Sequence, residues 1–146
     1  MDRAPLVVLD TNVLVAGLCR RQNSPSYRIL QQIQQEIIPL TLTHKLYLEY
    51  ESVLTRNKIL ALIKSRREEV DVILNALVAL AQKSQTYYLW RPNLTDENDN
   101  FIVEAAVTTG GVIVTKKLAD FRGGELKFPE LLVLSPQQYC DLYLQP

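Results

Sequence analysis

The sequence predicts a single-domain α/β fold: a three-layer α/β/α sandwich around a mainly parallel sheet of roughly five strands. Three observations predict it. Short apolar runs without alternation, such as Leu6-Val7-Val8-Leu9 and Val112-Ile113-Val114, read as strands buried on both faces. Amphipathic stretches of helical period separate those runs, which is the order of a parallel sheet with crossover helices. The chain has 146 residues, 47% apolar and 22% charged, close to the globular average and enough for one core over residues 1–146.

The first strand, Leu6 to Leu9, ends at Asp10. Thr11 to Leu18 follows as a short helix and polar Cys19 to Asn23 as a loop. Ser24-Pro25 starts the next helix, with Ser as cap and Pro at the first helical position, and Tyr27, Ile29, Leu30 and Ile33 carry its stripe to about Glu36. Ile37 to Leu42 reads as a second strand, placed at an edge by Pro39. Thr43 caps a helix bearing Leu46, Tyr47, Tyr50, Val53 and Leu54, and Asn57 to Lys64 forms another. Ser65-Arg66-Arg67-Glu68 is a capping box opening a long helix with Val70, Ile73, Leu74, Leu77, Val78 and Leu80. Thr86 to Trp90 is a third strand, Arg91-Pro92-Asn93 a loop, and Asp96 to about Thr108 a helix stopped by Gly110-Gly111. Val112 to Val114 and Leu131 to Leu134 are the last strands, and Ser135-Pro136 caps a final helix ending near Leu144.

Composition narrows the function classes. Lys+Arg and Asp+Glu balance at a formal net charge of +0, which argues against a protein that coats duplex DNA by neutralising phosphates. Cys19 and Cys140 lie far apart with no His or Cys at ligand spacing, and read as free thiols of a reducing cytosol. Met1-Asp2-Arg3 runs straight into the first strand without a signal peptide. Every apolar run is far shorter than the roughly 20 residues of a membrane span. The expectation is a cytoplasmic protein without membrane association. His44 is the only histidine, which argues against a triad or a zinc site.

In parallel sheets ligands bind beyond the carboxyl ends of the strands. The residues there are Asp10-Thr11-Asn12, a helix with Glu49 and Glu51, Asp96-Glu97-Asn98-Asp99, and Thr115-Lys116-Lys117 followed by Asp120. Carboxylates on one rim repel one another unless a cation compensates, and oxygen-only donors suit Mg²⁺ or Mn²⁺. Such ions serve phosphoryl chemistry. Each acid also has a plainer reading. Asp10 can cap the helix after it, and Asp96 with Asp99 can form a helix N-cap and N3 pair. On a helical wheel with Leu46 at 0°, Glu49 falls at about 300° and Glu51 at about 140°, on opposite flanks of an apolar stripe centred near 40°. Periodicity does not choose between them. Residues 56–67 carry Arg56, Lys58, Lys64, Arg66 and Arg67 without an acid, a local charge of +5, whereas residues 96–104 sum to −4. The basic run is either a solvated helical face or a phosphate-tracking flank beside an acidic metal site.

Taken together, these motifs resemble those of PIN-domain nucleases. Leu9-Asp10-Thr11-Asn12-Val13-Leu14-Val15-Ala16-Gly17-Leu18 is similar to that family's first motif. Glu49-Tyr50-Glu51-Ser52-Val53-Leu54 is similar to the second, in which an acid precedes Val-Leu by four positions, and this selects Glu49. Asp96-Glu97-Asn98-Asp99-Asn100, with Phe101, Ile102 and Ala105, resembles the third, with Asp99 as the metal-binding acid. Val112-Ile113-Val114-Thr115, then Leu118-Ala119-Asp120-Phe121, resembles the fourth. The similarity runs from Leu6 to Tyr139. It departs at Lys117, where the family often carries Asp or Asn; Asp120 is the nearest acid.

The resemblance implies a PIN-like fold and hydrolysis of single-stranded RNA. Asp10, Glu49 and Asp99 would hold Mg²⁺ or Mn²⁺, with Asp120 as a fourth acid and Thr11, Asn12, Asp96, Thr115 and Lys117 in support. Arg56 to Arg67, Lys116 and Arg122 would hold the RNA backbone. It further implies the toxin of a toxin–antitoxin pair, with an antitoxin protein as partner and a homodimer as a common assembly. Two other readings stay open. One is a weak or inactive PIN-like module that binds RNA or a protein partner, disabled at Lys117. The other is a phosphoryl-transfer enzyme or receiver domain with Asp10 as nucleophile, for which Asn12 stands where a second Asp is usual.

Overall fold

Val7, Val8 and Leu9 are fully shielded from solvent, as their unbroken apolar run requires of a central strand. The computed structural model describes residues 4–19, 23–88, 101–121, 128 and 130–144. Among these, the strands are β1 (Val7–Leu9), β2 (Leu42–Thr43), β3 (Tyr87–Tyr88), β4 (Val112–Val114) and β5 (Val133–Leu134). The helices are α1 (Thr11–Leu18), α2 (Pro25–Gln34), α3 (His44–Leu54), α4 (Asn57–Ile63), α5 (Arg67–Lys83), α6 (Phe101–Thr109) and α7 (Pro136–Tyr143).

All strand pairs are parallel. β1 pairs with β4, with Leu9 opposite Val114, and β4 pairs with β5. β2 pairs with β3. A bridge between Val7 and Leu40 joins the two groups: the Val7 N–H donates to the Pro39 carbonyl at 3.0 Å and the Thr41 N–H to the Val7 carbonyl at 2.8 Å. The spatial order is therefore β3-β2-β1-β4-β5. The chain steps outward from β1 to β2 to β3, then returns through α6 to β4. Right-handed crossovers put helices of the outward and return connections on opposite faces, which is the expected three-layer architecture. α6 packs on β1 and β4, α5 on β2 and β3, and α2 on both α1 and α7. One core of buried side chains joins all of these elements.

Several boundaries differ from the sequence reading. Ile37 to Thr41 is not regular strand. The N–H groups of Ile37 and Ile38 both donate to the Gln32 carbonyl, closing the end of α2, and Glu36 takes a left-handed φ of 64°. Those donors are thus spent on a helix end, and the chain first bonds the sheet at the Pro39 carbonyl. The capping box of α5 also sits one residue later than Ser65. Lys64 is the left-handed C-cap of α4 at φ 54°, and the Ser65 hydroxyl donates back to the Ile63 carbonyl at 3.3 Å. Arg66 becomes the N-cap position, with its N–H donating to the Glu69 carboxylate at 3.1 Å. The caps expected at Ser24, Thr43 and Ser135 are present. β3 begins at Tyr87, one residue after the expected start, with Leu89 and Trp90 outside the described residues, and β5 begins at Val133, two residues into its apolar run.

Gly17 fixes how closely α1 meets α2. A Cβ there would lie 3.0 Å from the Ser26 carbonyl oxygen and 3.1 Å from Leu30 Cδ2. The Ser26 carbonyl lies inside α2 and cannot swing aside. Gly17→Ala is expected to gain helix propensity but lose more to overpacking, a net destabilisation of about 1–2 kcal/mol in urea unfolding.

Candidate active site at the carboxyl ends of β1 and β4

The register of β1 against β4 brings Asp10 and Thr115 together from opposite ends of the sequence. The Asp10 N–H donates to the Val114 carbonyl at 3.0 Å, extending the ladder one residue past β1. The Asp10 carboxylate then turns out over the rim. Its Oδ1 accepts the Thr11 N–H at 2.8 Å, and its Oδ2 accepts the Asn12 side-chain amide at 3.2 Å and the Thr115 hydroxyl at 2.7 Å. The backbone of Asp10 is extended and its carbonyl accepts the first helical bond, from Val13, so the residue is also the N-cap of α1. Capping and site placement coexist in one side chain.

Thr115 is fully buried. While its hydroxyl donates to Asp10, it accepts the Lys117 N–H at 3.0 Å. Asn12 acts in parallel: its amide holds Asp10, and its carbonyl oxygen accepts the Lys116 N–H at 3.1 Å. Thus the chain after β4 is tied to the start of α1 directly through the Lys116 amide and, through Thr115, to Asp10, while the Lys117 amide folds back on Thr115. The side chains of Lys116 and Lys117 are exposed, and so is Asp120, whose N–H donates to the Lys117 carbonyl at 3.0 Å as the 3-10 turn Leu118–Phe121 begins.

Tyr50 brings α3 to the same rim. In a parallel strand, alternate carbonyls face one edge. Val7 uses its outward carbonyl for Thr41, and the next on that edge, Leu9, accepts the Tyr50 hydroxyl at 2.6 Å. Tyr50 is fully buried; burial, followed by the negative charge of Asp10, pushes its hydroxyl far above the ordinary tyrosine range. The sequence reading placed Tyr50 in the apolar stripe and missed its hydroxyl. A signal was available, because a buried tyrosine usually needs a hydrogen-bond acceptor.

The two flanks of α3 face different neighbours. Lys45, one turn before Glu49, reaches the Phe101 ring at the start of α6, its ammonium 5.9 Å from the ring centroid. Tyr47, one turn before Glu51, has its hydroxyl pushed up by desolvation and then by the charges of Glu51 and Asp71, the latter on α5. The Lys45–Glu49 flank is turned toward α6 and the Tyr47–Glu51 flank toward α5. Glu49 and Glu51 are both partly buried. Asp96, Asp99 and Arg122 lie outside the described residues. Among the described residues no three His, Cys, Asp or Glu side chains gather as a metal cluster.

Asp10 fits a hard cation. Its carboxylate uses three of about four lone-pair positions on protein donors, which leaves about one for a ligand. The side chains that bond it are those of Asn12 and Thr115, with oxygens rather than thiols or imidazoles, a setting suited to Mg²⁺ or Mn²⁺. Thr115→Val keeps the side chain's shape but removes a donor from Asp10 and an acceptor from the Lys117 N–H. It is expected to cost about 1–3 kcal/mol of stability, read by thermal or urea unfolding.

No helix among the described residues is long and apolar enough to cross a membrane. The family model of the PIN domain matches residues 6–118, a span holding β1 through β4 and the rim residues from Asp10 to Lys117. No curated protein matches the chain.

Proposed function

Because the chain belongs to the PIN-domain family, a family of nucleases, we propose that it hydrolyses phosphodiester bonds of single-stranded RNA in a reaction that depends on Mg²⁺ or Mn²⁺. The observation that carries this reading is the Asp10 carboxylate, held at the rim by Thr11, Asn12 and Thr115 with an acceptor position to spare. Asp10, Glu49 and Asp99 would hold the cation. When bound, it would neutralise phosphate oxygens and activate water. Glu49 is favoured over Glu51 because its flank of α3 also carries Lys45, which touches Phe101, two residues after Asp99.

The chain's own residues supply orientation and charge. Thr115 and Asn12 aim the carboxylate and tie down the Lys116–Lys117 segment. The side chains of Arg56, Lys58, Lys64, Arg66 and Arg67 are exposed. Leu62, within that run, approaches the carboxyl end of α1, where Cys19 Sγ lies 3.9 Å from the Leu62 carbonyl. An eight-residue helix is about 12 Å long, so Leu62, within the basic run, lies on the order of that far from Asp10, a span that RNA bound at the rim would bridge. The cations of that run would hold the phosphate backbone. We further propose that the enzyme is the toxin of a toxin–antitoxin pair, assembles as a homodimer, and is silenced by a partner protein that covers the acidic rim. The exposed lysine at position 117 favours one second reading, a PIN-like module that binds RNA or a partner without cutting it.

Cleavage of labelled single-stranded RNA by purified protein separates these readings. Activity is expected with Mg²⁺ or Mn²⁺ and is expected to vanish with a chelator. Asp10→Asn should keep the fold, since Asn caps helices nearly as well as Asp, yet lower the rate by at least about tenfold. Glu49→Gln should impair cleavage while Glu51→Gln does not. Binding of RNA without metal-dependent cleavage would instead support the binding module.

A further inference from the structure

We propose that Tyr50 is a positioning residue that fixes the separation of the Asp10 and Glu49 carboxylates by bonding the helix of one to the strand of the other. This inference rests on the proposed metal site and adds a residue to it. Tyr50 follows Glu49 on α3, and its hydroxyl donates at 2.6 Å to the carbonyl of Leu9, the residue before Asp10. One hydrogen bond therefore joins the immediate neighbours of both acids. On that edge the regular β1 contacts stop at Val7, which bonds Pro39 and Thr41. Leu9 instead receives a side-chain donor from α3. The bond is fully buried, so water cannot replace it without opening the core. Lys45 and Phe101 make a second, looser contact on the same flank of α3, toward α6. The arrangement lets α3 carry Glu49 to the rim although α3 is not part of the sheet.

The protein contains its own control. At the other end of β1, the hydroxyl of Tyr139 on α7 donates to the Pro5 carbonyl at 3.0 Å, and Tyr139 is also fully buried. Tyr50→Phe and Tyr139→Phe remove the same type of bond, one from the last residue of β1 and one from the segment just before β1. Each keeps its ring, and circular dichroism checks the fold. The test is a Mn²⁺ titration of the parent and both variants, with melting temperatures and with kcat and KM for labelled RNA. Both variants are expected to melt below the parent. Only Tyr50→Phe should weaken Mn²⁺ binding, by about tenfold, and lower kcat while KM stays unchanged. Tyr139→Phe should match the parent in Mn²⁺ affinity and kcat. If Tyr50→Phe binds Mn²⁺ as tightly as Tyr139→Phe, the positioning role is overturned while the metal site stands. If the parent itself binds no Mn²⁺, the site reading fails and the role of Tyr50 falls with it.

Discussion

The parallel pairing of β1 with β4 is the constraint on which the rest of the rim depends. Leu9 opposite Val114 puts Asp10 and Thr115 side by side, 105 positions apart in sequence, close enough for a 2.7 Å bond. A slip of one residue would send the Thr115 side chain to the other face and leave Asp10 without its buried donor. Both strands are apolar on both faces, so hydrophobic alternation alone does not fix their register. The register is held at its ends. At the amino end Gly111 packs so closely that a Cβ would lie 3.2 Å from Val8 Cγ2 and 3.3 Å from the Leu6 carbonyl oxygen. At the carboxyl end, Asp10, Asn12 and Thr115 interlock through side-chain bonds.

This arrangement joins stability and the candidate site in the same groups. Asp10 caps α1, continues the β1–β4 ladder and presents a carboxylate over the rim. Thr115 satisfies that carboxylate and also organises the chain that follows β4. Asp10 stands at the amino end of α1, and Leu62, within the segment that carries the exposed Arg56, Lys58, Lys64, Arg66 and Arg67, approaches its carboxyl end.

Much of this was legible in the sequence because it depends on local signals. Buried strands announce themselves by apolar runs, and Ser24, Thr43 and Ser135 by their place before helices. The position of Asp10 after β1 followed from the same logic. What was not legible depends on where backbone donors go. Ile37 and Ile38 have strand-like side chains, yet their N–H groups close α2. Ser65 has the chemistry of a cap but was displaced by the left-handed Lys64 beside it. The flanks of α3 are symmetric about its apolar stripe, so only the neighbours, Phe101 on one side and Asp71 on the other, distinguish Glu49 from Glu51. Tyr50 was hidden for a related reason: its ring satisfies the helical pattern, while its hydroxyl answers to a strand 41 positions away.

The central claim is that the carboxyl ends of β1 and β4 form a cation site built on Asp10. Diffraction from crystals soaked in Mn²⁺, recorded where manganese scatters anomalously, tests it most directly. The account predicts an anomalous peak in contact with an Asp10 carboxylate oxygen, with Glu49 and Asp99 facing the same ion. A fully occupied ion elsewhere on the surface, with none at Asp10, would contradict it and leave the carboxylate as a helix cap alone.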